Sequence, residues 1–201
     1  MEDNKFNIVV VDDTMGEKDP FVVELKLEFQ RDGIISYYER VDAAMKFVEE
    51  HMSERIIIFM DCRFGSVWQG VDAVLKLREK TSLIYVVMMS ANSLDQLNGQ
   101  DIAALINTDN IFFIKNTDTE GAKERVRQIQ ELWKSRFDCI LERWLVKNPE
   151  DNAKEAFCEA GGKSYTWADI LRELRLGTSV GNSFEMVLNE YYIDQIDNMR
   201  K

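Results

Sequence analysis

The sequence predicts an α/β domain with a five-stranded parallel sheet, followed by a small all-α domain. Three observations lead there. Five short, almost wholly apolar runs occur between Ile8 and Ile114. Each is followed by a stretch whose apolar residues fall three and four apart, the period of a helix with one buried face. Beyond about Gly121 only the helical period continues. Strands that are apolar on both faces suit a parallel sheet covered by helices on each side, so a flavodoxin-like doubly wound sheet is the expected architecture.

The elements follow in order. A strand at 8–11 precedes a helix that carries Phe21, Val22, Leu25 and Phe29 and is ended by Gly33. Strand 34–38 and helix Val41–Glu50 come next, then strand 56–60 with helix 71–80, strand 83–89 with helix 94–106, and strand 111–114 with a last helix. That last helix starts near Gly121 and carries Val126, Ile129, Trp133, Phe137, Ile140 and Trp144 in one stripe. It is expected to run unbroken to Val146 before Pro149 stops it, a rigid connection into a second domain. There the pattern predicts a helix at 151–160, a Gly161-Gly162 turn, a helix Trp167–Leu176 ended by Gly177, and a final helix at 183–199 opened by a capping box of Asn182 and Glu185. The implied organisation is a first domain at 1–120, a connecting helix at 121–147 and a small helical domain at 148–201.

Composition narrows the class. In 201 residues, 45% are hydrophobic and 30% charged, with 2 Pro and 10 Gly, which excludes disordered, collagen-like and low-complexity chains. No apolar run approaches the roughly 20 residues a bilayer needs, and the acidic start Met1-Glu2-Asp3 has the wrong polarity for a signal peptide. A cytoplasmic protein without a membrane span is expected. Cys62, Cys139 and Cys158 are odd in number and have no histidine cluster nearby, so buried thiols are expected rather than a disulfide framework or a zinc site. The net charge of −11 is concentrated early: residues 1–118 hold 12 Lys/Arg against 21 Asp/Glu, residues 119–201 hold 13 against 15. Neither part has the basic surplus that phosphate-backbone binding requires.

In an open parallel sheet, ligands bind at the carboxyl ends of the strands. Polar residues stand at four of those ends: Asp12 and Asp13 after the first, Asp61 after the third, Ser90 after the fourth and Lys115 after the fifth. Three carboxylates drawn together repel one another unless a hard divalent cation such as Mg²⁺ shares their oxygens. Lys115 offers a point positive charge and Ser90 a hydroxyl, both suited to the charge on a transferred phosphoryl group. Asp61, alone at the tip of a buried strand, is the natural nucleophile.

Those residues sit in VVVDDT, IIIFMDC, VVMMSAN and IFFIKN, and in that order and spacing the sequence from residue 6 to about 130 resembles the receiver domain of two-component response regulators. The resemblance implies a phosphorelay protein in which Asp61 becomes an aspartyl phosphate. Asp13 and Asp61 would bind Mg²⁺ directly, Asp12 through water, and the backbone carbonyl of Arg63 would complete the set. Ser90 and Lys115 would contact the phosphoryl oxygens, with Ser90 and Phe112 as the switch pair. The phosphodonor would be a sensor histidine kinase or a phosphotransfer protein, and the C-terminal helices would form an output domain that binds an effector protein or self-associates into a homodimer. The sequence departs from the family where the loop after Asp61 lacks a proline and is longer, and where Lys115 is followed by Asn116 rather than proline, so no cis peptide is expected there.

Two other readings are weaker. A transcriptional regulator using its last two helices as a helix-turn-helix needs basic and amide side chains on the recognition helix. From Thr178 onward the basic residues are Arg200 and Lys201 alone, against Glu185, Glu190, Asp194 and Asp197, so nucleic acid is disfavoured. A phosphatase of the haloacid dehalogenase type needs D-x-D-x-T, and Asp12-Asp13-Thr14 has no spacer. Gly162-Lys163-Ser164 lacks the first glycine of a P-loop and reads as a turn; His51, the only histidine, has no partners for a catalytic triad.

Overall fold

The structure, a computed structural model, describes residues 5–91, 103, 105–158 and 162–199. The chain divides into two compact units, Met1–Glu131 and Leu132–Lys201.

In the first unit five strands, β1 Phe6–Val11, β2 Gly33–Tyr38, β3 Ile56–Asp61, β4 Tyr85–Ser90 and β5 Ile111–Lys115, form one parallel sheet in the order β2-β1-β3-β4-β5. This is the flavodoxin-like doubly wound arrangement that the alternating pattern implied. β1, β3 and β4 are buried almost throughout because helices cover both faces, whereas edge strands β2 and β5 are largely half-buried. Helix α1 (Pro20–Phe29) begins with Asp19 as cap, its carboxylate accepting from the Phe21 amide at 2.9 Å, and with Pro20 in the first turn, where its missing N–H costs nothing. It buries Phe21, Val22, Leu25 and Phe29. Helices α2 (Val41–Glu50) and α3 (Gln69–Arg78) follow β2 and β3. The helix expected at 94–106 lies largely outside the described residues. His51 caps α2 at its C-terminus, stacked on Phe47.

Helix α4 (Thr119–Ser135) buries Ala122, Val126, Ile129 and Trp133 at helical spacing. The unbroken helix to Val146 does not form. Arg136 has extended backbone, φ −75° and ψ 130°, and a new helix α5 starts at Phe137 and ends at Lys147. The expected stripe fails with it: Ile140 and Trp144 are exposed, and the buried face moves on by one residue to Leu141 and Leu145. The break places Asp138 in the interior of the second unit, where Arg136 grips it at 2.7 and 2.9 Å and Arg175 adds a bond of 3.0 Å. A buried carboxylate needs such partners. Burial alone would raise its pKa, but the two guanidiniums outweigh that and hold it at about 2.

The second unit is not all-α. Where a helix was expected at 151–160, the chain makes one 3-10 turn, Pro149–Asp151, and then strand β6 (Glu155–Cys158), antiparallel to β7 (Ser164–Thr166). Cross-strand packing overrides the helical propensity of this segment: Phe157 lies 6.5 Å from the ring of Tyr165 and edge-on to Phe184 at 5.7 Å. Gly162 (φ 81°) sits in the connection, a turn glycine rather than part of a P-loop. Helix α6 (Trp167–Leu176) has a capping box of Thr166 and Asp169 and ends at left-handed Gly177. Helix α7 (Ser179–Met199) starts four residues earlier than the pattern suggested, and Asn182 lies inside it; Thr178 accepts from the Gly181 amide instead. Gly181 allows this start, because a Cβ there would come within 2.5 Å of the Glu173 carbonyl on α6. Leu141, Leu145, Tyr165, Ile170, Val180 and Phe184 form the core. Cys62 and Cys139 are buried, and burial pushes their thiols up to about 12 and about 11; Cys158, expected to be buried, is exposed at the end of β6. Among the described residues no helix is long and apolar enough to cross a membrane.

Candidate functional site

The chain runs from β1 to β2 on one side and then to β3 on the other, so the strand order reverses between β1 and β3 and leaves a crevice at their carboxyl ends. Val11 pairs with Met60 in register, and the next residues on the two strands are Asp12 and Asp61. Asp12, Asp13 and Asp61 each offer a carboxylate oxygen within 4.8 Å of the others.

Each carboxylate is held differently. Asp12 is fully buried. Its Oδ1 accepts from the Thr14 amide (2.7 Å), the Thr14 hydroxyl (2.7 Å) and the Met15 amide (2.9 Å), while its Oδ2 is buried without a hydrogen-bond partner. An orphaned, buried carboxylate oxygen beside two further carboxylates is costly unless a cation or its bound water takes it up. Asp13 accepts from the Gly65 amide at 2.7 Å, which ties the loop after β1 to the loop after β3. Asp61 is pushed up to about 7, first by burial and then by the charge of Asp12, with Asp13 adding less, while the Cys62 and Arg63 amides pull the other way. The donor set is three carboxylates, hard oxygen ligands of the kind Mg²⁺ takes.

The supporting residues come from further apart. Tyr37 on β2 points its hydroxyl at the carbonyls of Asp12 (2.7 Å) and Met15 (2.5 Å), pinning the acidic loop from the neighbouring strand. Burial and then the Asp12 charge raise this phenol above its ordinary range. The loop after Asp61 folds into a two-residue hairpin between Phe64 and Val67, with Gly65 at φ 59°, a conformation that favours glycine. Without a proline this turn sets the loop, and the Arg63 guanidinium rests 4.4 Å from the Trp68 ring centroid. Gly70 opens α3 against the backbone of Asp61, where a Cβ would stand 1.8 Å from the Asp61 carbonyl oxygen.

Ser90 and Lys115 are register partners at the ends of β4 and β5, and Asp61 pairs with Met89, one residue before Ser90. The same rim therefore carries Asp61, Ser90 and Lys115 on three adjacent strands. The Lys115–Asn116 peptide is trans, and the Asn116 amide donates to the Ser90 carbonyl at 3.2 Å, a bond proline could not make. Phe112 on β5 stacks on Tyr85 at 6.3 Å with the Arg125 guanidinium 5.1 Å from its ring. Sequence reasoning missed Thr14, Tyr37 and Gly65 as supports. Gly65 and Gly70 were visible in the loop, but Tyr37 looked like one more apolar strand residue.

No protein-family model and no curated protein matches the chain. Solved structures do. A putative two-component system response regulator/GGDEF domain protein superposes with a TM-score of 0.51 at 17% identity, over 64% of this chain and 50% of that one, so the chain spans about half the length of that protein. A response regulator from Thermotoga maritima gives 0.46 at 20% identity, over 62% and 97% of the two chains. The response regulator TrrA from Thermotoga maritima, in complex with Mg²⁺-BeF, gives 0.44 at 20% identity, over 61% and 97%. The C-terminal region has no recognised family. The five-stranded sheet with its flanking helices has the fold of response regulator receiver domains.

Proposed function

We propose that the chain is a response regulator of a phosphorelay, with the first unit as its phospho-accepting receiver and the second as an output domain. One observation carries the reading: three carboxylates within 4.8 Å at the switch point of the sheet, with the buried Asp12 Oδ2 unpartnered. Asp12, Asp13, Asp61 and the Arg63 carbonyl would hold Mg²⁺, which when bound neutralises the carboxylates and the incoming phosphoryl oxygens. An Asp61 carboxylate oxygen attacks phosphorus in line. The new P–O bond forms as the bond from phosphorus to the donor breaks, a P–N bond in a histidine kinase or phosphotransfer protein and a P–O bond in acetyl phosphate. Lys115 and Ser90 balance and bind the transferred oxygens from the neighbouring strands, and the ring of Phe112 answers the movement of Ser90. The product is an aspartyl phosphate with at most slow self-dephosphorylation, and the output unit acts on a protein effector or by self-association.

Incubation with acetyl phosphate should add one phosphoryl group to the intact protein, read by mass spectrometry, with Mg²⁺ and not in EDTA. Asp61→Asn should remove the label, and Asp13→Asn should reduce it at least tenfold. Undiminished labelling of Asp61→Asn would overturn the assignment.

A further inference from the structure

The loop that carries the first two carboxylates is held from a neighbouring strand, and the sheet register explains how. Tyr37 on β2 pairs with Val10 on β1, and Val10 pairs with Phe59 on β3, so these three side chains stand on one face of the sheet. The Phe59 ring meets Phe21 of α1 edge-on at 5.6 Å, which identifies that face as the one α1 covers. Tyr38, the next residue, stands on the opposite face against Phe47 of α2. Of the two tyrosines it is therefore Tyr37 that can reach the connection from β1 to α1, residues 12–19.

That connection has little packing of its own. Thr14, Gly16, Glu17 and Lys18 are exposed, and Asp13, Met15 and Asp19 are half-buried. Hydrogen bonds hold it instead. Asp12 Oδ1 closes the loop on itself through Thr14 and Met15, and the Asp12 amide donates to the Tyr38 carbonyl at 3.2 Å. The Tyr37 hydroxyl then reaches the carbonyls of both Asp12 and Met15, at 2.7 and 2.5 Å. Those two carbonyls bracket the turn, Asp13 included, so fixing them fixes where the Asp13 carboxylate and the unpartnered Asp12 Oδ2 stand. Such rigidity matters unequally to different cations. Mg²⁺ demands near-octahedral oxygens at about 2.0–2.1 Å, whereas Ca²⁺ accepts flexible geometry at about 2.3–2.6 Å. A pinned loop favours the smaller ion, and a loosened one loses Mg²⁺ first.

We infer that Tyr37 is a positioning residue of the cation site: by holding the Asp12 and Met15 carbonyls it sets the preference of that site for Mg²⁺ over Ca²⁺. It acts through Asp12 and Asp13 and is not itself a ligand. The inference rests on the reading of the acidic crevice as a Mg²⁺ site.

The test is calorimetric titration of the full chain, stripped with EDTA and dialysed free of it, with MgCl₂ and with CaCl₂. Tyr37→Phe should raise the Mg²⁺ Kd about tenfold and the Ca²⁺ Kd about twofold or less, moving the ratio about fivefold toward Ca²⁺. Tyr38→Phe, which removes the hydroxyl on the other face, should leave both constants within about twofold of the wild type. p-Aminophenylalanine in place of Tyr37 can donate to the same carbonyls and should restore most of the Mg²⁺ preference. If Tyr37→Phe does not fold, p-fluorophenylalanine at that position, which fills the place of the hydroxyl without donating, is titrated in its stead. Wild-type constants in Tyr37→Phe, an equal loss for both cations, the same shift from Tyr38→Phe, or no recovery with the amine would each overturn the inference. A wild type that binds Mg²⁺ but takes no phosphoryl group from acetyl phosphate ends the phospho-acceptor reading and leaves the Tyr37 comparison standing; one that binds no Mg²⁺ ends both.

Discussion

At the scale of single residues the acidic crevice stores unfavourable energy. Asp61 has a pKa of about 7, above its ordinary 3.8, chiefly because it is partly buried and secondly because Asp12 and Asp13 are near. Between about pH 4 and pH 7 the folded chain keeps a proton that the unfolded chain has released, so stability falls as pH rises through that window. In EDTA at pH 8, Asp61→Asn should therefore melt a few degrees above the wild type. The gain is on the order of 1 kcal/mol once solvent screening of a partly exposed group is allowed for. The gap should close near pH 4, and Mg²⁺ should close it at pH 8 by stabilising the wild type. Thermal melts at the two pH values, with EDTA and with Mg²⁺, measure this; a wild type as stable as Asp61→Asn at pH 8 in EDTA would show that the crevice carries no such strain.

Between elements, close approach decides the geometry. α3 begins so near the end of β3 that position 70 has no room for a side chain. Gly70→Ala should cost about 1–3 kcal/mol of unfolding free energy and weaken Mg²⁺-dependent labelling, because the helix or the Asp61 backbone must shift. Gly65→Ala is the comparison: its Cβ would meet nothing within 4 Å, so only the strain of φ 59° is added, about 1 kcal/mol. Denaturant unfolding of both variants decides it; a Gly70→Ala no more damaging than Gly65→Ala would contradict the contact. The same kind of approach shapes the second unit. There Gly181 lets α7 start early against α6, and the need to pair Asp138 with Arg136 and Arg175 accompanies the break between α4 and α5.

For the whole molecule, charge is the deciding quantity. A net −11, with no Lys or Arg on α7 from Ser179 to Met199, leaves no basic surface on the helix that a helix-turn-helix would use for recognition. The chain should bind duplex DNA no better than any acidic protein at physiological salt, whether phosphorylated or not. A gel shift with sequence-specific, nanomolar affinity would reverse that expectation.

Alternation of apolar runs and amphipathic segments was enough to place five strands and the helices that follow the first three and the last of them, because burial on both faces of a parallel sheet leaves a local, periodic trace. The strand-end polar residues were legible for the same reason: Asp12, Asp13, Asp61, Ser90 and Lys115 interrupt apolar runs, and the doubly wound topology sends those interruptions to one rim. Long-range packing left no such trace. The Tyr37 hydroxyl beneath the acidic loop, the Gly70 backbone against Asp61 and the hairpin of β6 and β7 depend on residues distant in sequence. The apolar stripe running through Phe137, Ile140 and Trp144 pointed to one continuous helix, but a periodic pattern cannot register a one-residue change of phase. Local period and residue type therefore determined the sheet and the identity of its polar rim, while tertiary structure alone decided which oxygens lie unpartnered, where helices break and which helix face is left uncovered.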